Sequence, residues 1–408
     1  MQTRCFLFLQ GVCSPFFARL ADKLKADGHR VYRVNFNGGD AAYWGLRRSV
    51  SYRGNADGVR EFLTQEYQRL GITDQILFGD SRPIHRPAVQ LGDKLGIRTH
   101  VFEEGYFRPY WVTLEREGVN GRSLLPRDPD WFWEVGHQLP DYGDGEPFLS
   151  PFWVRAGHDV AYHLASASNP LLYPGYRIHA PVHAAVEYAG YVKRFTKLRF
   201  VRGSDNALVK TLITGSVPYY LLPLQLNSDA QIRDHSSFDD MADVLEYVLA
   251  SFARHAPDNS RLVIKNHPLD MGLMNYPRLI ARLEKAFDLA GRLDFLESGD
   301  LMRLIQKSRG VVTVNSTVGA LSVGLGSRTI ALSDAIYNLP KLTFQGALDD
   351  FWRGGEKPDA ELFRRFRNTV IHTTQVNGGF YSRAGIELAV LNSRRMLEPD
   401  ISPLEALL

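Results

Sequence analysis

Cysteine is nearly absent: the 408-residue chain has two, Cys5 and Cys13. One lies in an apolar, strand-like run and the other eight residues on. That pattern suits neither a disulfide framework nor a zinc site, and both thiols are expected to be reduced. Long apolar runs are missing too, none approaching the roughly 18 residues that a spanning helix needs. The opening Met1–Gly11 segment is too short in apolar residues for a signal region, so a cytoplasmic protein is expected. Charge of one sign is also lacking. A formal net charge of +3 provides no global field for nucleic acid, so any basic patch must be local. Neither a GxGxxG nor a Walker sequence occurs, which removes support for a dinucleotide or nucleoside-triphosphate site. No aspartate pair stands at a strand end to hold a metal: Asp239-Asp240 and Asp349-Asp350 fall in helical or loop contexts. Internal repeats and low-complexity segments are absent.

What remains is a soluble globular composition, 44% hydrophobic and 23% charged. The length exceeds one ordinary core, and two α/β domains are the natural division. Strand and helix alternate through the first hundred residues. Strands are expected at Cys5–Leu9, Val31–Phe36, Gln75–Phe78 and Thr99–Glu103. Helices are expected from Ser14-Pro15 to Ala26, at Asp57–Leu70 and at Pro87–Leu95. Such βα alternation means a parallel, doubly wound sheet. From Tyr106 to about Val201 the pattern blurs into aromatic- and proline-rich sequence, read as extended loops and a few helices. Alternation resumes with strands at Tyr219–Leu226, Leu262–Lys265, Leu293–Leu296, Val311–Val314 and Thr329–Leu332. Helices are expected at Phe238–Arg254, Tyr276–Ala290, Asp300–Lys307, from about Thr317, and at Ala384–Met396. Two Rossmann-like halves and a terminal helix suggest a GT-B-like α/β architecture, its two domains facing across a cleft. The expected divisions are 1–205, an acceptor domain with an aromatic-rich insertion; 206–383, a donor domain; and 384–408, a helix and tail packing back on the first.

Three strand ends carry chemistry, and in a parallel sheet such ends border the ligand crevice. Arg261–Pro268 ends in His267-Pro268. Proline drives the residue before it toward extended geometry, which fixes His267 just past a strand end. There an imidazole can donate to a phosphate or transfer a proton; the plain alternative is a histidine satisfied by a local carbonyl. Asn315-Ser316-Thr317 lies between a β-branched run and a small-residue helix. Ser and Thr cap helices well, and the amides and dipole at that end favour an anion, unless the residues merely cap. Glu103-Glu104-Gly105 ends a third strand. Neighbouring strand residues face opposite ways, so one carboxylate faces the cleft while the other packs. Glu104 is preferred and Glu103 is the understudy. Glycine after them is read as a turn at a dihedral that other residues resist. A salt bridge to Arg108 is the simpler role.

Supporting positions are Gln225, placed to contact a base or sugar, and Gln10, Gly11 and Arg82, which end strands in the first half where an acceptor would lie. Lys265 and Arg82 are candidate counter-charges for a carboxylate or phosphate. Tyr188–Arg202 interleaves aromatics with Lys193, Arg194, Lys197, Arg199 and Arg202. It reads either as a stretch resting on an anionic bilayer or as an interdomain helix with a solvated charged face.

Taken together, Phe8–Gly11 with Ser14–Phe17, Gly79–His85, Phe102–Pro109, Leu222–Gln225, Lys265–Pro268 and Asn315–Thr317 resemble the capsule polysaccharide biosynthesis family, and within it the single-module β-Kdo transferases. The resemblance spans most of the chain and implies a GT-B enzyme that takes β-Kdo from CMP-β-Kdo. Its acceptor would be a phosphatidylglycerol-type lipid at the inner face of the cytoplasmic membrane. The product would start a poly-Kdo linker with retention of configuration. Peripheral membrane attachment and capsule assembly partners, including a second Kdo transferase, follow from the same likeness; nucleic acid does not. The acidic-acidic-glycine, His-Pro and Ser/Thr trio is also similar to that of bacterial GT-B sialyltransferases. That implies Glu104 as the catalytic carboxylate, His267 with Pro268 at the CMP phosphate, and Ser316 and Thr317 holding that phosphate. The related pattern often has aspartate where this chain has Glu104. No cofactor or metal is expected, because fixed donors can stabilise the phosphate leaving group. Retention would come from two displacements or from front-face attack. Rival readings are another nucleotide-sugar transferase or epimerase, and a non-catalytic assembly or export factor.

Overall fold

A computed structural model of the chain describes residues 3–177, 184–227, Ile232 and 236–408. The chain forms two compact units. Unit 1 comprises 1–125, 139–179 and 368–408; unit 2 comprises 126–138 and 180–367. Each is a Rossmann-like α/β layer structure.

Unit 1 is built on β1 (Cys5–Phe8), β2 (Arg30–Asn35), β3 (Val50–Ser51), β4 (Asp74–Phe78), β5 (Arg98–Glu104), β6 (Trp111–Arg116) and, from the end of the chain, the strand Gln375–Asn377. The first five are parallel in the order β5-β4-β1-β2-β3. β6 adds antiparallel to β5, and Gln375–Asn377 adds antiparallel to β6. Its helices are α1 (Phe16–Ala26), α2 (Gly38–Trp44), α3 (Val59–Leu70) and α4 (Arg86–Leu95), with others introduced below. β1 is apolar at every position because both faces of a parallel strand are covered. Phe6 and Phe8 face one core with Phe16, Leu20 and Leu24 of α1. Cys5 and Leu7 face the other, with Leu63 and Tyr67 of α3 and Leu91 of α4. The i, i+4, i+8 spacing along α1 supplies the stripe it buries.

Unit 2 begins with α5 (Pro129–Gln138); in unit 1, α6 (Phe152–Ser166) and α7 (Asn169–Leu172) follow, and α8 (Ala184–Thr214) returns the chain to unit 2. The sheet of unit 2 is wholly parallel, β11-β10-β7-β8-β9, from β7 (Tyr219–Pro223), β8 (Arg261–Lys265), β9 (Leu293–Leu296), β10 (Gly310–Thr313) and β11 (Thr329–Ala331). Around it lie α9 (Met241–His255), α10 (Tyr276–Ala286), α11 (Leu301–Lys307), α12 (Thr317–Gly324) and α13 (Leu348–Phe351). Tyr220 and Leu222 enter the core beneath α9, whereas Tyr219 and Leu221 face α8 and α11, the alternation of a strand. α14 (Ala360–Thr374) leads back to unit 1, where Gln375–Asn377 (β12) and α15 (Arg383–Leu397) complete the chain.

Within each unit the strand order is that of a doubly wound fold. Connections run to one side of the first strand and then reverse, leaving a switch point between β1 and β4 in unit 1 and between β7 and β10 in unit 2. The expected α/β organisation is present, with differences. The blurred region contains β6, whose residues are all buried and so show no alternation. The strand expected to run to Leu226 stops at Pro223, one residue before a last bond from the Leu224 N–H to the Lys265 carbonyl at 2.8 Å. The divisions at 205 and 383 lie elsewhere: α8 belongs to unit 2 throughout, and residues from Asn368 onward, with β12 and α15, belong to unit 1. Among the described residues no helix is long and apolar enough to cross a membrane.

The edge of unit 1 away from its strand ends holds Asp74, buried between Arg4 at 3.6 Å, Arg98 at 3.0 Å and His100 at 2.8 Å. Arg4 and Arg98 also reach Asp400 at 2.7 and 3.0 Å, tying the tail to the sheet. Burial holds the His100 imidazole below its usual range, although Asp74 pulls the other way. A depressed imidazole contributes stability that is complete above the unfolded value, about 6.5, and is lost as pH falls below it. Urea midpoints should therefore fall between pH 7 and pH 5 more steeply for the wild type than for His100→Gln. Parallel slopes would show that His100 is not titrating with unfolding.

Candidate active site

The carboxyl edge of unit 1 gathers Gln10, Gly11, Arg82, Glu103 and Glu104. Across the switch point Arg82 donates to Gln10 Oε1 at 3.0 Å and to the Gly11 carbonyl at 3.2 Å. The Gln10 amide is buried and donates to the Tyr162 hydroxyl at 3.2 Å and the Tyr176 hydroxyl at 3.1 Å. Tyr162 in turn donates to Asp40, which Arg33 meets at 3.2 Å. Asn37 caps the start of α2, and Asp40 in its first turn is locked into this network. Arg82 is held in place with its guanidinium over Phe78, 5.2 Å from the ring centre. A cavity of about 340 Å³ opens beside it, lined by Tyr52, Arg82, Tyr176 and Arg177 among others.

The two glutamates part as strand geometry requires. Glu103 lies over the end of β4: its Oε1 accepts the Glu104 N–H at 3.0 Å, and its Oε2 sits 3.3 Å from where a Cβ on Gly79 would stand. Glu104, half-buried, points toward α6, where Arg155 stands 3.4 Å from its carboxylate. The Arg155 guanidinium also rests on Tyr381, 4.8 Å from the ring centre. Burial first, and then the Glu104 charge, push the Tyr381 hydroxyl up, so it stays protonated. The cation next to Glu104 is therefore Arg155; Arg108 is exposed. Gly105 is needed for a different reason from the one expected. Its φ is not positive; a Cβ there would stand 2.0 Å from the Trp111 carbonyl, inside the β5–β6 turn. Cys13 lies among the same charges. Burial pushes its thiol up to about 12, helped by Asp159 and Asp40 and opposed by Arg82 and Arg155, so it is no nucleophile at neutral pH.

The carboxyl edge of unit 2 gathers Gln225, Lys265, His267, Pro268, Asn315, Ser316 and Thr317. At its switch point Gln225 and Asn315 form a reciprocal pair: Gln225 Nε2 donates to Asn315 Oδ1 at 3.1 Å, and the Asn315 N–H donates to Gln225 Oε1 at 3.2 Å. Ser316 caps α12, its hydroxyl accepting the Val318 N–H at 3.2 Å, and Thr317 opens the helix. The room beside Gly319 is filled by Tyr337, whose hydroxyl lies 2.1 Å from a would-be Cβ and donates to the Ser316 carbonyl. His267 follows β8 with its Nδ1 accepting the Leu269 N–H at 3.1 Å. That bond places the proton of the neutral ring on Nε2, making Nε2 a donor. Pro268 is exposed. Lys265 is buried and faces the same side as Val263, where burial and the nearby Arg194 charge hold its ammonium below the usual range.

What fixes the His267 loop was not visible in the motif. Arg194 of α8 is 4% exposed and donates to Glu297 at 2.8 Å, Asp270 at 3.3 Å and the His267 carbonyl at 3.0 Å. Asn266 bonds the same two carboxylates at 3.0 and 3.2 Å, and Lys197 meets Glu297 at 2.5 Å. Burial would raise the Glu297 carboxyl, but Lys197, Asn266 and Arg194 hold it below the usual range. Two of the five cations in the Tyr188–Arg202 stretch are thus structural. Among the described residues no group of three or more His, Cys, Asp or Glu is placed to hold a metal ion.

A family model described as "Capsule polysaccharide biosynthesis protein" matches residues 73–381. The chain is 35% identical to the Escherichia coli "Capsule polysaccharide export protein KpsS" over 379 residues, 92% of this chain and 96% of the relative. It is equally identical, 35% over 387 residues, to the "Capsule polysaccharide modification protein LipB" of Neisseria meningitidis serogroup B, covering 92% of this chain and 91% of that one. Among solved structures it is similar to "Thermosulfurimonas dismutans KpsC, beta Kdo 2,7 transferase", with 12% identity and a TM-score of 0.44 over 95% of this chain and 98% of that one. The chain belongs to the capsule polysaccharide biosynthesis family.

Replacing Arg194 with Met removes the cation that Glu297 and Asp270 share and leaves Lys197 alone on Glu297. Removing one partner of such a network costs about 3–5 kcal/mol, so Arg194→Met should unfold at markedly lower urea. An unchanged midpoint would mean that the His267 loop is held by other contacts.

Proposed function

We propose that the protein is a retaining glycosyltransferase that moves β-Kdo from CMP-β-Kdo to a phosphatidylglycerol-type lipid and so begins the poly-Kdo linker of a capsular polysaccharide. The observation that carries this reading is the unit 2 edge. His267 presents an Nε2–H donor one strand away from a switch point whose other side is the capped start of α12. Imidazole, hydroxyls and helix amides form a donor set suited to a phosphate that leaves with a full negative charge. Holding that charge as the bond between sugar and phosphate breaks replaces what a metal would otherwise supply. Glu104 then acts either as the nucleophile at the anomeric carbon or as the base for the acceptor hydroxyl. Arg155 stands 3.4 Å from the Glu104 carboxylate and orients it in either role, and Arg82 offers a guanidinium for the carboxylate of the 2-keto acid sugar. Attachment at the inner face of the membrane and work beside a second Kdo transferase complete the proposal.

The curated relatives carry differing descriptions, export for one and modification for the other, and a purely assembling role is the competing reading. CMP release in the presence of a synthetic phosphatidylglycerol analogue, followed by mass spectrometry of that lipid, separates the two. Donor left intact would favour assembly. Glu104→Gln should lower transfer by about 10²–10⁴-fold while CMP binding measured by calorimetry is retained; near-normal turnover would remove Glu104 from the chemistry. His267→Ala should weaken CMP binding by about 10–100-fold, the loss of one charge-assisted hydrogen bond. Unchanged affinity would argue against the phosphate role.

A further inference from the structure

Helix α6 is amphipathic the wrong way round for a soluble protein. Tyr162 faces inward and is buried, whereas Trp153, Gly157, Val160 and Leu164 form one outward stripe at i, i+4, i+7 and i+11. Trp153 is 78% exposed and Leu164 71%, and the stripe continues onto α7 with Leu171 at 87%. No charged side chain interrupts it between Trp153 and Leu164 on that face. Beside the stripe, a cavity of about 820 Å³ opens between α1, α6 and α15, its walls including Val154, Ile386, Val390, Leu391 and Tyr381. Arg19, Lys23 and Arg383 stand on its lining with Asp22 and Glu387; Lys23 pairs with Asp27 at 2.6 Å, Arg383 with Glu387 at 3.0 Å, and Arg47 grips Asp22 through two hydrogen bonds of 2.7 and 2.6 Å. The cavity wall leads to the chemistry, because Tyr381 carries Arg155, which pairs with Glu104 at 3.4 Å.

We propose that the α6–α7 stripe seats unit 1 on the surface of an anionic bilayer and that the adjoining cavity takes the acyl portion of a phospholipid drawn from it. An exposed tryptophan with aliphatic neighbours is the composition of helices lying in the bilayer interface, and the exposed Arg19 guanidinium on the cavity rim complements a phosphate headgroup. The inference deepens the functional reading and rests on it only for the identity of the lipid as acceptor. It also shifts membrane contact from the basic stretch of α8, where Arg194 and Lys197 are engaged with Glu297, to a charge-free face of unit 1.

The full-length chain should co-sediment with vesicles of phosphatidylglycerol and phosphatidylcholine, and less with phosphatidylcholine alone. The double variant Trp153→Ser, Leu164→Ser, melting like the wild type, should lose vesicle partitioning by about tenfold or more. Val390→Trp, which fills the cavity, should still sediment with vesicles but no longer carry phospholipid detectable by native mass spectrometry. Undiminished partitioning of the folded double variant would overturn the docking face, and lipid retained by Val390→Trp would overturn the cavity. Binding is read without donor or turnover. Vesicle binding by a chain that transfers nothing would support this inference and sink the functional one.

Discussion

Parallel pairing puts the carboxyl ends of all strands in a sheet on one edge, and every candidate group in this protein depends on that constraint. At such an edge the ladder stops and backbone donors and acceptors lose their partners, so polar side chains must close the gap. Both units answer in the same way. In unit 1 the gap between β1 and β4 is spanned by Gln10 and Arg82; in unit 2 the gap between β7 and β10 is spanned by Gln225 and Asn315. A bridging pair at each switch point keeps the strand ends at a fixed separation, and the candidate groups stand one strand further out. Glu103 and Glu104 end β5 beside β4, and His267 follows β8 beside β7.

The side chains behind these edges explain how exposed loops are kept in order. A loop just past a strand end has few apolar contacts of its own, so the position of the His267 loop must come from buried charges. Arg194 does this with a fork of donors that a lysine lacks, touching two carboxylates and the His267 carbonyl at once. In unit 1 the corresponding role falls to Tyr162 and Asp40, which hold Gln10 from beneath. Such networks are costly when partly satisfied, which makes the loops they hold rigid or broken with little between.

Much of this was legible in the chain because buried parallel strands are short apolar runs that stop at polar or glycine residues. β1, β4, β8 and β10 all follow that form, so the residues just beyond them could be named. The opposing carboxylates of Glu103 and Glu104 followed from the two-residue period of a strand. Other features had no local signal. β6 is buried at all six positions and lacks alternation. α6 shows its apolar residues to the outside, so its pattern does not report which way it faces, and Arg155 beside Glu104 could not be foreseen. Arg194 sat within a basic run, where a charge that is buried looks the same as one that is solvated. Gly105 was marked as special, yet the reason lies in the nearby Trp111 carbonyl, and the Tyr337 hydroxyl filling the space beside Gly319 is likewise something that only the packing reveals.

The three-part construction of unit 1 bears on how the protein is made. The outer edge of β6 pairs with β12, and Phe380, Ile386, Ala389 and Leu397 fill the core that α1 shares. A ribosome therefore exposes β6 and most of that core long before their partners exist, while all of unit 2 is synthesised in between. Unit 2 can fold during translation; unit 1 must wait for the last few dozen residues, with an open strand edge meanwhile available to other chains. Proteolytic nicking near Arg367, or an early stop codon there, would strip unit 1 of an edge strand and of part of its interior while leaving the unit 2 sheet whole.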